Sequence, residues 1–439
     1  MLNYIWLGLM VLAVVMGGLT GRLKEVTAGA LDAAELAVMK TALPLIGLTA
    51  LWLGLMRLAE QSGLIQTLAK ALRPVMRRLF PEVPVDHPAM GSMLMNMAAN
   101  MIGVTNAATP LGLRAMADLE KLNRHPGTAT DAMCTFLALN TSSLQLIPTT
   151  AISILALADS ANPVAIVGTT LLATACSTVV AVVAVKALAR LPHFRLGPAP
   201  TTSEAGPVGV DRDELQVAAV EPTPRAPVWW GLVALWGFVL FFAFLAVQAM
   251  TAPVADPGTS RFVQAMNGLS LLPIPFLLGF FPLYGVLRGV PVYEEFVEGA
   301  REGFQVVVRI IPPLVAILVA VGMFRAAGGV DLIAVGLQPV LDLVGFPADL
   351  LPMALTRPLS GSATIGLYRE LVDAVGPDSL VARMGGTMLG STETTFYVIA
   401  VYFGAVRVKR ARHAVAAGLL AELAGIIASV VVCRMVFVG

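Results

Sequence analysis

Charge is what this sequence has least of. Asp, Glu, Lys and Arg make up 13 % of its 439 residues, against 57 % hydrophobic, where soluble domains carry about 25 % charged residues. That scarcity excludes an ordinary soluble globule and leaves a polytopic membrane protein, with membrane lipid as its first partner. The net charge is +1, so there is no basic excess to hold nucleic acid, and none is expected. Cysteine is rare as well. Cys134, Cys176 and Cys433 lie in apolar segments without metal-ligand spacing and read as buried free thiols. The four histidines, His87, His125, His193 and His413, are scattered and form no zinc pattern. No metal or cofactor is expected. The chain also lacks an H-E-x-x-H pair, a Walker loop and a Ser/His/Asp set, which argues against an enzyme. Residues 1–20 have no basic n-region or clear cleavage site and read as a retained first helix.

Against this apolar background, polar residues inside hydrophobic runs stand out. Residues 93–112, M-L-M-N-M-A-A-N-M-I-G-V-T-N-A-A-T-P-L-G, carry Asn96, Asn100, Thr105, Asn106 and Thr109, with Gly103 and Pro110 interrupting them. Asn96 and Asn100 are four apart and share one helix face. Lipid satisfies neither side-chain amides nor backbone groups freed at a break, so the stretch should line a protein interior or a wet cavity. A broken or re-entrant helix pair is the favoured reading; helix–helix glue by Asn and small residues is the alternative. A second cluster, N-T-S-S-L-Q, offers Asn140, Thr141, Ser142 and Gln145. A third, T-R-P-L-S-G-S-A-T (356–364), holds Arg357, Ser360, Ser362 and Thr364. The fourth holds Ser391, Thr392, Glu393 and Thr394, with Glu393 the one acidic residue between Asp378 and Glu422. A carboxylate at such depth must be paired, protonated or wet. Arg357 is its expected partner, either as a structural ion pair or as the other half of a solute site.

The chain divides into membrane halves at 1–194 and 228–439, joined by a Pro-, Gly- and charge-rich segment, 195–227, that reads as a flexible linker. The halves share an order of weak signals. Amphipathic segments 22–40 and 291–305 read as interfacial helices. The spans after them end in Gly54-x-x-Arg57 and Gly322-x-x-Arg325. L-R-P-V (72–75) answers L-Q-P-V (337–340), and Phe80-Pro81 answers Phe346-Pro347. Together they indicate an internal duplication. Residues 57–78 carry five basic residues against one acidic, whereas 325–349 carry Arg325 against three aspartates. The loop at Asp159 has no Lys or Arg, whereas its counterpart is R-V-K-R-A-R (407–412). Because Lys and Arg mark the cytoplasmic side, the repeats should be inverted, with the unmatched span 228–250 supplying the odd crossing. Arg77 and Arg410 are expected on one side, Asp159 and Asp342 on the other. The expected fold is an all-α polytopic membrane protein of two inverted-topology repeats. Each repeat has a broken or re-entrant segment and an interfacial amphipathic helix, in about eight full spans plus two re-entrant segments.

Specific strings then carry a resemblance. Gly103–Gly112, F-L-A-L-N-T-S-S-L-Q-L-I-P-T-T (136–150), W-L-G-L-M-R-L-A-E-Q-S-G-L (52–64) and D-H-P-A-M-G (86–91) resemble the bacterial spore maturation protein A family. R-P-L-S-G-S-A (357–363), G-P-D-S (376–379), G-S-T-E-T-T-F-Y-V (390–398) and V-Y-F-G-A-V (401–406) resemble the spore maturation protein B family. The chain thus looks like a fusion of the two, differing in the linker and in span 228–250. Both families are classed with the nucleoside-recognition gate domain, shared with concentrative nucleoside transporters and ferrous-iron transporters. The resemblance implies a transporter-like helical core and a nucleoside-like solute. It also implies Asp more often than Glu at the position of Glu393.

The expected function is that of a transporter-like protein, in the bacterial cytoplasmic membrane, that binds or moves a small polar solute between the repeats. Coupling to a proton or sodium ion is left open, as is a homo-oligomer. The alternative is a non-transporting scaffold supporting envelope or spore-cortex maturation. A cavity between the halves would favour the first and its absence the second.

Overall fold

The structure is a computed structural model describing residues 2–102, 105–196, 229–251, 272–329, 332, 335–336 and 345–437. The side chains of 2–5, 105–107, 110, 229–230, 306, 309–310, 313 and 317 fall outside that description. The described residues form helices and no sheet; one isolated bridge joins Thr128 to Arg410.

Helix α1 (Leu2–Leu19) opens the chain. Helix α2 (Leu23–Glu35) then runs through a π-helical segment, Leu36–Ala42, into α3 (Leu43–Gln61) without a turn. Pro44 has no N–H to continue the ladder, and the wider winding just before it, with Leu43 N–H bonding the Val38 carbonyl, carries the helix across. Next come α4 (Leu64–Leu79), α5 (Pro88–Ile102), α6 (Thr105–Glu120), α7 (Asp131–Ser142), α8 (Thr149–Leu157) and α9 (Ile166–Ala189). After the gap, α10 (Trp229–Thr251) and α11 (Pro273–Leu287) lead into the 35-residue α12 (Val292–Ala326). Helices α13 (Leu351–Thr356), α14 (Gly361–Val375), α15 (Leu380–Ser391), α16 (Thr395–Ala405) and α17 (Ala414–Phe437) finish the chain.

Among the described residues four runs are long and apolar enough to cross a membrane: Leu23–Gln61, Ile166–Ala189, Gly231–Thr251 and Ala414–Phe437. This is an all-α, multi-pass membrane protein. Two expectations need correction. The apolar stretch 131–157, which reads as one span, is split into α7 and α8 at 143–148. Twelve residues of α7 rise only about 18 Å, short of a bilayer core of about 30 Å. Nor are the amphipathic segments separate interfacial helices. Each is the first part of a long helix, held by protein contacts with the other half.

Those contacts are made by small residues. On α12, a Cβ at Gly299 would meet the Leu53 carbonyl at 2.6 Å and the Gly54 Cα at 2.9 Å, and one at Gly303 would meet the Ala50 Cα at 2.8 Å. Reciprocally, a Cβ at Gly29 of α2 would lie 3.0 Å from the Ala326 Cβ, and one at Gly322 would lie 2.8 Å from the Ala33 Cβ. Spacings of small-x-x-x-small on all four segments let the backbones touch. The amphipathic segment of each half crosses the Gly-x-x-Arg span of the other. At one crossing Arg57 pairs with Glu295 at 2.7 Å and with Glu302; at the other Arg325 pairs with Glu370.

The centre is a seam between α9 and α17, which run antiparallel. The Arg412 guanidinium, just before α17, bonds the Phe194 carbonyl beyond the end of α9. Ser177 bonds the Ala421 carbonyl at 2.8 Å midway, and Thr169, Thr387 and Cys433 link the far ends. At that far end Asp378 accepts from the Ser160 hydroxyl and the Ala161 N–H, and these bonds, the backbone one first, hold its carboxyl below the usual range. The cores are shared across halves: Met133 and Phe136 pack in one cluster with Phe403 and Ala417, and Ile154 and Ile166 in another with Leu367 and Met388. Of the thiols, Cys134 and Cys433 are buried, but Cys176 is exposed on α9.

Candidate functional site

Two interrupted helices meet at the centre of the molecule. The first breaks after Ser142, where Ser143 takes a left-handed φ of 38° before α8 begins. The second breaks between Ser391 and Thr395. Each break frees backbone groups that lipid would leave unbonded. Here protein satisfies several of them. The Glu393 N–H donates to the Thr141 carbonyl at 2.7 Å, so the breaks bond each other directly. The Thr174 hydroxyl of α9 reaches the Ser142 and Ser143 carbonyls at 3.0 and 2.9 Å.

Arg357 is buried at 4 % exposure and donates to the Leu389 carbonyl at 3.1 Å and to the Thr392 carbonyl. It caps the C-terminal end of α15, where unpaired carbonyls and the helix dipole favour a cation. The expected Arg357–Glu393 pair is therefore not formed: no ion pair joins them among the described residues. Glu393 is half-buried, within electrostatic reach of Tyr402 and Glu422. The fully buried acid is Glu422, on α17 and 1 % exposed. Its Oε2 accepts from the Thr395 hydroxyl at 2.6 Å, while its Oε1 has no partner among the described residues. The Oγ1 atoms of Thr141 and Thr394 have none either. Thr141 Oγ1 faces Gly418, one turn before Glu422, and Thr394 Oγ1 faces Gly361 at the start of α14, beside Arg357.

A network of amides adjoins this set. Asn96 donates to the Ala108 carbonyl at 2.7 Å and closes the α5–α6 hairpin. Asn100 donates to Asn140 Oδ1 at 2.8 Å, and Tyr402 of the second half donates to the same oxygen at 3.3 Å. Gly112 leaves room for this, since a Cβ there would sit 2.9 Å from the Asn96 amide.

The structure thus brings Asn96, Asn100 and Asn140 into one cluster and Thr141, Arg357, Thr392, Glu393 and Thr394 into its neighbour. Other expected residues serve locally. Ser360 caps α14 by accepting from the Ala363 N–H, Ser362 lies 3.4 Å from Ser360, and Thr364 bonds the Ser360 carbonyl. Ser142 bonds Leu139, and Ser391 bonds Met388 and Ser429. Thr109 and Gln145 are half-buried. Gly103 and the side chains of Thr105, Asn106 and Pro110 lie outside the described residues. Two participants were missed in the sequence, Tyr402 and Glu422. The signal for Glu422 was available: it is the lone charge in A-V-A-A-G-L-L-A-E-L-A-G (414–425), the pattern that singled out Glu393.

Against known proteins, residues 42–190 and 307–409 match the family model described as Gate, nucleoside recognition. The chain is 44 % identical over 175 residues to Spore maturation protein B of Bacillus subtilis (strain 168), covering 40 % of this chain and 98 % of that protein. It is 43 % identical over 183 residues to Spore maturation protein A of the same organism, covering 42 % of this chain and 93 % of that protein. The two similarities fall on separate parts of the chain. No solved structure matches. The two blocks of the family match each contain one of the broken helices.

Proposed function

The chain belongs to the nucleoside-recognition Gate family, as a fusion of a spore maturation protein A-like and a protein B-like half, and from that premise we propose that it binds and moves a small, polar, nucleoside-like solute where its two broken helices cross. One observation carries the proposal. Glu422 Oε1, Thr141 Oγ1 and Thr394 Oγ1, contributed by both halves, are buried around one crossing and have no partner among the described residues. Each such group costs about 1–3 kcal/mol, and a fold that only needed to close would replace or bond them. A sugar hydroxyl or base amide supplies the missing donors, and the Asn100–Asn140 pair beside them offers an amide edge.

In this reading the repeats are inverted and the site is alternately exposed by their rocking. The protein sits in the cytoplasmic membrane with its basic end, Arg77 and Arg410, inside. Solute binding proceeds without catalysis; Glu422 and Glu393 are the groups through which a proton or sodium ion would couple. The scaffold reading draws on the seam, where Ser177, Thr169 and Thr387 are all bonded. The two cavities described on the molecule lie at its ends and away from this crossing, so the solute would enter a site that has to open.

The test is a thermal-shift screen of the purified protein against nucleosides, nucleobases, amino acids and peptidoglycan precursors, with and without sodium. A nucleoside response that Glu422→Gln abolishes supports transport. No response to any class, with the protein folded, supports the scaffold.

A further inference from the structure

A second site lies at the end of the seam, where α9 finishes and α17 begins. A cavity of about 570 Å³ opens there between the halves, within the ~300–1,000 Å³ range of pockets for small organic ligands. No acidic side chain lines it among the described residues. The first half supplies His125, Thr128, His193 and Arg195, and the second supplies Arg410 and Arg412.

The arginines have different tasks. Arg412 is committed: it pairs with Asp131 at 2.6 Å and donates to the Ala129 and Phe194 carbonyls. Arg195 and Arg410 are exposed and have no acidic partner among the described residues. The loop presenting Arg410 is fixed. The Lys409 and Arg410 N–H groups donate to the Gly127 carbonyl at 2.9 and 3.0 Å, and Ala129 N–H returns a bond to the Arg410 carbonyl. Arg407 and Arg412, at either end, hold left-handed φ values of 55° and 50°. Non-glycine residues persist there only where the surroundings impose it, often at binding sites.

Two guanidiniums from opposite halves, Arg195 donating to the Arg190 carbonyl at 3.1 Å and neither with an acidic partner among the described residues, line one cavity with Thr128, His125 and His193 and form a receptor for a multiply charged oxyanion. Its place at the ends of two membrane-spanning helices is where basic pockets meet headgroups. We propose that this cavity binds a phosphate-bearing group, bridging Arg195 to Arg410 and so tying the halves together at this end. A lipid headgroup and a free phosphate compound share that chemistry, and the test separates them.

Full-length protein in neutral detergent is titrated with phosphatidylglycerol, with phosphatidylcholine, and with pyrophosphate against chloride at matched ionic strength, and melting is followed. Native mass spectrometry of the parent protein reads lipid retention independently of any variant. The double variant Arg195→Gln/Arg410→Gln should weaken the response by about tenfold. Arg77→Gln/Arg78→Gln, exposed basic residues outside the cavity, should leave it intact. Stabilisation by phosphatidylglycerol alone identifies a headgroup; stabilisation by pyrophosphate identifies a soluble ligand. The proposal is overturned if neither probe exceeds its control and no lipid is retained. It is equally overturned if the two double variants weaken binding alike, which would mean diffuse charge attraction.

Discussion

Replacing Arg357 with Met strips donors from the Leu389 and Thr392 carbonyls inside the protein, an expected loss of about 1–3 kcal/mol for each acceptor left unbonded. Glu393→Gln removes a half-buried carboxylate that no cation among the described residues holds, so its stability should stay within about 0.5 kcal/mol of the parent. A true ion pair would behave otherwise: both single variants would destabilise and the double would partly recover. Melting of the three proteins in detergent decides the matter, and recovery in Arg357→Met/Glu393→Gln would restore the pairing inferred from sequence. His413 gives a pH signature at the same scale. It is fully buried, and neither ring nitrogen has a partner among the described residues. Burial first, then the Arg412 charge, push its pKa down to about 4; Lys186 adds to this and Asp131 opposes it. The unfolded chain takes up this proton near pH ~6.5 while the folded protein stays neutral, so below that pH the unfolded state binds more protons. Stability from this group is therefore constant above pH ~6.5 and falls between about 6.5 and 4. His413→Phe, against the ring of Phe194, should lose that acid-side slope in a plot of melting temperature against pH. An unchanged slope would show that the imidazole does not titrate on unfolding.

Helices cross closely only where side chains permit, and this protein uses that limit at the contacts between α12 and α3 and between α2 and α12. At Gly303 an added Cβ meets the Ala50 backbone, which cannot rotate away. Gly303→Leu should cost about 1–3 kcal/mol or more by overpacking and lower the yield of folded protein. Gly47→Ala, on an open face with nothing within 4 Å, should be neutral or stabilising by up to about 1 kcal/mol. Comparable losses for both would mean that helix propensity, and not the crossing, sets the effect. These elements also show where sequence reading runs out. The recurrence of Gly54-x-x-Arg57 and Gly322-x-x-Arg325 was legible because composition and spacing repeat. The partner of each was not, since a glycine exposes only its own freedom and not the backbone that will approach it. Residues 22–40 and the span after them read as two elements in sequence, yet the π-helical turn before Pro44 carries one helix through both. The polarity near Asn140 was visible in an apolar run but the helix break beside it was not, and Arg357 was matched to the wrong group. Charge predicts that a buried cation needs an acceptor and cannot tell a carboxylate from a helix's last carbonyls.

At the scale of the whole molecule, the halves are joined far more by surface than by the intervening segment. The Glu393 N–H bonds the Thr141 carbonyl, Arg57 pairs with Glu295, and Ala129 and Arg410 share a backbone bond. Apolar cores draw on both sides. The residues between them, 197–228, lie outside the described structure, and their sequence, rich in Pro, Gly and charge, cannot build a core of its own. Such a composition is expected to act as a tether, and a short flexible tether would contribute an effective concentration of order millimolar. Cysteines placed singly at 77, 159 and 410 in a background without Cys134, Cys176 and Cys433 test how this body sits. Positions 77 and 410 should label from one side of intact cells and 159 from the other. Labelling of 77 and 159 from the same side would defeat the inverted arrangement. Cutting the tether tests whether the interface suffices. Residues 1–194 and 227–439, expressed as separate chains with a tag on the first, should copurify, because the interlocked crossings and the seam remain intact. Gly303→Leu in the second chain should reduce the recovered partner, tying association to the helix crossing and not to co-residence in one detergent micelle. If both chains insert stably and neither captures the other, the halves are held by the tether and the interface is too weak to be the fulcrum of a transport cycle.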